Sequence, residues 1–438
     1  MIVGGASSKG EVSPSGDRDL HRPISRASAV IAGFSTIVEW YDFTLYLYFA
    51  TTLARVFFGG GEGSLIVTLA GFAVAYLMRP LGALFFGHIG DRHGRKKTLL
   101  LSVALMTAAM LAIALLPTRA QIGPAAGVLL LAVRCVMGFA VGGEYTGVVA
   151  YLLEGAAPHR RGLVTSMAAA ASEVGGLLAV GLAALTVTLV PPLALDAWGW
   201  RLPFFAGSLL AGSVWIARAS MHESPDFERQ RAAGTIPASP LRHALASHRA
   251  GIARGFAISA LGSITYYVGI GYVPAFLTSV GRMGEAASLW LSTIAAVAVI
   301  AVTPLVGIAS DRWGRRPVLI TLAGLSALLP ITMFSLMASG SVGFALAGAI
   351  VLALVAGGVG AVATAEQLSG EGRLTGLALG ATTATAIFGG LTPLVAQYAT
   401  TASGWPSTPG LMIALVALAV LPLLWRMKET APLQLNRN

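Results

Sequence analysis

Glu39, Arg134 and Glu173 have the strongest claim to chemistry, because each stands about ten residues inside a long apolar stretch. At 1.5 Å per helical residue that is about 15 Å along the axis, half of a hydrocarbon core of about 30 Å. Ionisable groups are costly at that depth and default to functional candidates. Asp42 follows Glu39 by three residues and shares its helical face, about one turn further along. Burial favours the proton-bound form of a carboxyl, whereas a nearby guanidinium favours the anion. A carboxyl alternately paired with Arg134 and released from it would therefore take up and lose a proton. Asp42 or Glu39 is expected to carry that proton, and Arg134 to meet a carboxylate on a bound solute. A fixed buried network that orients the helices is the alternative for the same residues.

Glu144 lies ten residues beyond Arg134, about 15 Å down one helix, so the two cannot touch. It is assigned to gating or to proton release at the helix end, or alternatively to packing beside Gly142, Gly143 and Gly147. Glu173, within SEVGG, joins Glu39, Tyr41, Tyr266 and Tyr267 as a candidate solute contact, with an interfacial aromatic role the alternative for Tyr266 and Tyr267. Arg79 precedes Pro80 late in its stretch and is expected to snorkel to the surface. The second half has no charge at mid-depth and offers Thr383, Thr385 and Gln397 instead. None of the seven histidines lies deep in a stretch, and the single cysteine, Cys135, excludes a cysteine cluster. Neither catalysis, nor a metal, nor a cofactor is expected.

The elements that place these residues follow from composition. The chain has 438 residues, 55% of them hydrophobic and 11% charged, with a mean hydropathy of +0.76. One aqueous core cannot hide that much apolar surface, so lipid is the expected solvent. Apolar stretches near 29–50, 64–86, 98–117, 123–153, 163–190, 202–219, 252–278, 286–308, 318–338, 342–365, 374–400 and 407–426 are each about long enough to cross a bilayer. They divide the chain into a tail (1–28), a six-helix bundle (29–219), a polar loop (220–251), a second six-helix bundle (252–426) and a short tail (427–438). Alternate connections hold 23 of the 29 lysines and arginines, which puts both tails in the cytoplasm. The net charge of +10 thus reflects topology, and nucleic acid is not an expected partner. Residues 1–28 are polar and no cleavage site follows the first apolar stretch, so that stretch is expected to be retained.

An internal repeat supports the division. GHIGDRHGRKKTLL (87–100) and GIASDRWGRRPVLI (307–320) agree at five offsets: Gly87, Asp91, Arg92, Gly94 and Arg95 against Gly307, Asp311, Arg312, Gly314 and Arg315. Each lies between the second and third stretches of its half. Glu154 stands seven residues before Arg161, and Glu366 seven before Arg373. Parallel repeats place two similar bundles about an axis along the membrane normal, with a solute site between them. The paired loops suit a gate latch: an adjacent helix N-terminus or an arginine would hold each aspartate, and Glu154 and Glu366 would accept the loop cations. Alternatively, the cations serve only to fix topology.

The doubled G-x-x-x-D-R-x-G-R pattern resembles the signature loop of the major facilitator superfamily. Together with EWYDFTLY (39–46), MRPLGALFFGHIGDRHGR (78–95), RCVMGFAVGGEYTG (134–147), DAWGWRLPFF (196–205) and SDRWGRRPVLI (310–320), it is similar to the metabolite:proton symporter family. Met137 departs from that pattern, which usually has glutamine there. The resemblance implies an all-α polytopic fold of twelve transmembrane helices in two pseudo-symmetric six-helix bundles. It further implies a monomer in the inner membrane that imports a small organic acid with protons by alternating access, or a zwitterionic osmolyte such as proline or betaine. A channel would need a continuous polar stripe, and the charges cluster at one depth instead. A receptor that does not transport would be separated by an uptake measurement.

Overall fold

The structure, a computed structural model, describes residues 26–93, 95–142, 158–219, 249–356, 360–368 and 376–431. Twelve principal helices run through them. They are α1 (Arg26–Tyr48), α2 (Glu62–His93), α3 (Arg95–Leu115), α4 (Ala125–Ala140), α5 (Arg161–Leu189), α6 (Arg201–Ala219), α7 (Arg249–Tyr266), α8 (Glu285–Trp313), α9 (Arg315–Met337), α10 (Val342–Ala356), α11 (Ala378–Ser403) and α12 (Thr408–Trp425). Six are long and apolar enough to cross a membrane by themselves. A seventh span forms where α7 continues through a π-helical turn, Tyr267–Gly271, into Val273–Ser279 with a 45° bend. The core of the chain's own bundles holds Glu39, Asp42 and Arg134, while Leu193, Leu209 and Leu328 lie exposed on the outside, at 90%, 76% and 72%. Such an inverted distribution belongs to a protein dissolved in lipid.

Helix packing repeats with a period of six. In the first half α1 packs on α5 and α6, α2 on α4, and α3 on α6; in the second, α7 packs on α11 and α12, α8 on α10, and α9 on α12. The halves meet along α5 with α8 and, symmetrically, α2 with α11. Without a hydrophobic drive between helices in lipid, close backbone approach has to supply the attraction, and small residues permit it. A Cβ on Gly138 would collide with the Ala75 carbonyl, and one on Gly82 with that of Phe139, so α2 and α4 lie backbone to backbone. Gly175 performs the same service between α5 and α1, and Gly410 between α12 and α9.

Two expectations change. Asp311 does not follow its helix but lies in the last turn of α8, which ends only at Gly314 with φ +105°. After Phe49 the first stretch does not stop at residue 50 but continues as a short amphipathic helix, Ala50–Phe58.

Candidate functional site

Packed on α5 and α6, α1 carries Glu39, Asp42, Phe43 and Tyr46 on one face. Opposite it, α2 supplies Tyr76 and Arg79, and α4 supplies Arg134. All of these side chains are buried. Arg79 donates to Glu39 (Nη2 to Oε1, 3.5 Å) and lies over the rings of Phe43 and Tyr76, at 3.8 and 4.6 Å from their centroids. Arg134 lies over Tyr46 and Phe43 at 4.3 and 5.3 Å, with Nη1 2.9 Å from the Met137 sulfur. The Phe43 ring thus has a guanidinium within cation–π range from each of two helices. Two carboxyls and two guanidiniums form a set whose formal charges cancel.

Asp42 differs from Glu39. It is fully buried, Arg134 and Glu39 are its charged neighbours, and neither of its oxygens has a hydrogen-bond partner. A Cβ on Gly207 of α6 would stand 2.9 Å from Oδ1, so the carboxyl is wedged between α1 and α6.

An aromatic seam joins this set to the second half. The Tyr76 and Tyr267 hydroxyls are hydrogen-bonded across the halves. Trp40 stacks on Tyr267 at 6.3 Å and meets Tyr266 edge-on at 5.5 Å. Glu173 on α5 is half-buried and neighbours Tyr266, which also faces Tyr48. Gly176, one turn on, leaves space there: a Cβ would stand 3.4 Å from the Tyr266 hydroxyl and 3.9 Å from that of Thr44.

The structure therefore brings Glu39, Asp42 and Arg134 together, with Glu173, Tyr266 and Tyr267 at the seam. Tyr41 does not join them: its hydroxyl donates to the Pro203 carbonyl at 2.7 Å, inside the first bundle. Thr385 accepts from Ser263 at 3.0 Å and Gln397 from Tyr272 at 2.7 Å, both within the second half. Arg79 corrects an expectation. It does not snorkel, because α2 runs on to His93, fourteen residues or about 21 Å further, and Glu39 and two rings hold it inside. Trp40, Phe43 and Tyr76 were also missed, since an aromatic residue in an apolar stretch carries no charge signal.

The repeated loops are described on one side. Asp311 accepts from two N–H groups in the first turn of α5, Gly162 (2.9 Å) and Leu163 (2.8 Å), and from Arg315 Nη1 at 2.7 Å. Arg315 in turn reaches Glu366 at 3.2 Å. An aspartate of the second half thus caps a helix of the first. Arg312 is exposed beside this set. Gly87, Asp91 and Arg92 lie in the last turns of α2 and Arg95 begins α3, while Gly94, Glu144 and Glu154 fall outside the described residues. Among the described residues no group of three or more histidine, cysteine or acidic side chains could hold a metal.

Two six-helix bundles related by the repeat, with a buried charge set against their seam and an aspartate of one capping a helix of the other, define the class of polytopic membrane carriers. Comparison with known proteins agrees. A model of the sugar (and other) transporter family matches residues 28–236, and one of the MFS/sugar transport proteins matches 149–365. The chain is 30% identical to a proline/betaine transporter of Salmonella typhimurium over 96% of its own length and 86% of that protein. It is 32% identical to the alpha-ketoglutarate permease of Escherichia coli (83% and 85% covered) and 33% identical to a citrate-proton symporter of Salmonella typhi (88% and 89%). In fold it matches a proton:xylose symporter of the major facilitator superfamily, with a TM-score of 0.73 at 18% identity over 92% of this chain and 96% of that one. The chain belongs to the metabolite:proton symporter family of the major facilitator superfamily.

Proposed function

We propose that this protein imports a small organic acid together with protons, by alternating access across the inner membrane, with both of its tails in the cytoplasm and as a monomer. The observation that carries the reading is Asp42, buried between α1 and α6 of the first bundle with no hydrogen bond to either oxygen. An anion so placed lacks the contacts that a buried charge requires, and a proton removes the charge. Glu39 and Arg79 already form an ion pair, so Asp42 is the carboxyl free to exchange its proton for a stronger contact with Arg134. The two guanidiniums supply the counter-charge for a solute carboxylate. Arg79 is the nearer to the seam, through Tyr76, and Arg134 is reached once Phe43 and Tyr46 move. The 23 lysines and arginines on alternate connections support the orientation. Curated relatives include a citrate-proton symporter and an alpha-ketoglutarate permease, which supports the solute class.

A second reading has its own observation. Trp40, Tyr266 and Tyr267 form an aromatic wall next to Glu173, a setting that attracts a cationic head by cation–π contact. A zwitterion such as betaine or proline would then place its carboxylate towards Arg79 and its ammonium against this wall. Proteoliposomes loaded at one pH and diluted into another test both readings with a panel of radiolabelled acids and osmolytes. Uptake of di- or tricarboxylates that follows the proton gradient supports the first, and uptake of zwitterions alone the second. No gradient-dependent uptake of any member would reject proton-coupled import.

A further inference from the structure

On the face opposite the chain's ends, Arg55 lies in the short helix that follows α1. Its Nε is 3.3 Å from each carboxylate oxygen of Asp196, and its Nη2 is 3.1 Å from Asp196 Oδ1. Its remaining nitrogen, Nη1, reaches Glu285 Oε2 at 2.8 Å. Asp196 belongs to the first bundle, in the connection before α6, whereas Glu285 opens α8 in the second. One guanidinium therefore holds its own bundle through two nitrogens and the opposite bundle through one. Thr52 adds a hydrogen bond to Glu285, and Thr51 meets Thr278 across the same seam at 3.4 Å.

We propose that Arg55 is the switch of the outer gate, kept by Asp196 throughout the cycle and closing on Glu285 only when the outside is shut. This rests on the alternating-access reading above. The two-pronged side is the harder to break, because a fork on one carboxylate fixes both position and plane. When the bundles part, the single bond to Glu285 goes first. Glu285 then keeps a favourable position in the first turn of α8, where a helix N-terminus favours negative charge. A cavity of about 390 Å³ lined by Arg55, Gly59, Thr118, Arg119 and Asp196 opens beside the latch, so water can reach the groups that separate. Burial works against the Arg55 charge, and Glu285 with Asp196 outweighs it, holding the guanidinium above its ordinary value. A guanidinium in any case remains a cation in every state. All three side chains are partly exposed, which keeps the latch weak enough to open in each cycle.

Two isosteric substitutions separate a switch from ordinary structural support. Glu285→Gln removes the cross-bundle charge and favours the open outside. Asp196→Asn removes the partner that Arg55 needs when Glu285 is gone, and so favours the closed outside. A reporter, Thr51→Cys in a Cys135→Ser background, is alkylated with a membrane-impermeant maleimide in right-side-out vesicles. The alkylation rate is expected to rise about fivefold in Glu285→Gln, the scale of one partly exposed ion pair, and to fall by a similar factor in Asp196→Asn. Rates that move in the same direction in both variants, or by less than twofold in either, overturn the switch. Uptake is followed in the same vesicles. An unmutated protein that transports while labelling stays unmoved refutes the latch alone, whereas one that carries no solute refutes the transport reading on which the latch depends.

Discussion

Replacing Asp311 by alanine should unlock the gate on the face that holds Arg315 and Glu429. The carboxylate accepts two N–H bonds from the start of α5, at 2.9 and 2.8 Å, and both cross from one bundle to the other. Hydrogen bonds to a charged group contribute about 1.5–3 kcal/mol each, and a helix cap about 1 kcal/mol. Only 9% of Asp311 is exposed, so solvent screens these contacts little. Arg315 keeps Ser310 and Glu366, so no isolated buried cation is left behind to offset the estimate. The closed form should lose about 3 kcal/mol relative to the open one, a shift of roughly a hundredfold in their ratio. Asp311→Asn keeps one acceptor oxygen, loses the charge, and should shift the ratio by roughly tenfold. Ser166 is a suitable reporter, because it is buried on α5 against Gly307 of α8. With Ser166→Cys in a Cys135→Ser background, alkylation in inside-out vesicles should speed up in the order parent, Asn, Ala. Rates within twofold of the parent for Asp311→Ala would show that the cap does not hold the gate.

Three more outcomes follow from the same contacts. Asp42→Asn should abolish accumulation driven by a pH gradient and leave exchange of labelled for unlabelled solute intact, since the amide carries no exchangeable charge; gradient-driven accumulation that persists would remove Asp42 from coupling. Gly138→Val drives a branched side chain into the Ala75 carbonyl and should cost about 3 kcal/mol or more, seen as loss of monodisperse protein in detergent, while Gly262→Ala, with nothing within 4 Å, should be silent. Glu429 accepts from the backbone N–H groups of Arg315 (2.8 Å) and Arg316 (3.1 Å) at the start of α9. Glu429→Ala should therefore lower stability by about 1 kcal/mol, read as a fall in the melting temperature.

Hydropathy, repeat and loop composition were enough to find twelve helices in two related halves and to single out Glu39, Asp42, Arg134 and Glu173 as charges inside apolar stretches. Each of those signals is local, because the cost of a charge in lipid depends on its own stretch and a repeat is read by sliding the chain against itself. Which charge meets which is a different kind of fact. Arg79 pairs with Glu39 because α2 extends past the apolar stretch that marks it, and because α1 and α2 are rotated so that the guanidinium lies over the edge-to-face pair of Phe43 and Tyr76. Tyr41 turns to Pro203 of α6 although it directly precedes Asp42 in the chain; a step of one along a helix turns a side chain by about 100°. The partners of Asp311, Arg55 and Glu429 lie 149, 230 and 114 residues away. Sequence could say that Asp311 would seek a helix N-terminus or an arginine. Only the crossing of α5 and α8 decided that it takes both, because contact between bundles depends on the rotation and depth of helices that no stretch of sequence records by itself.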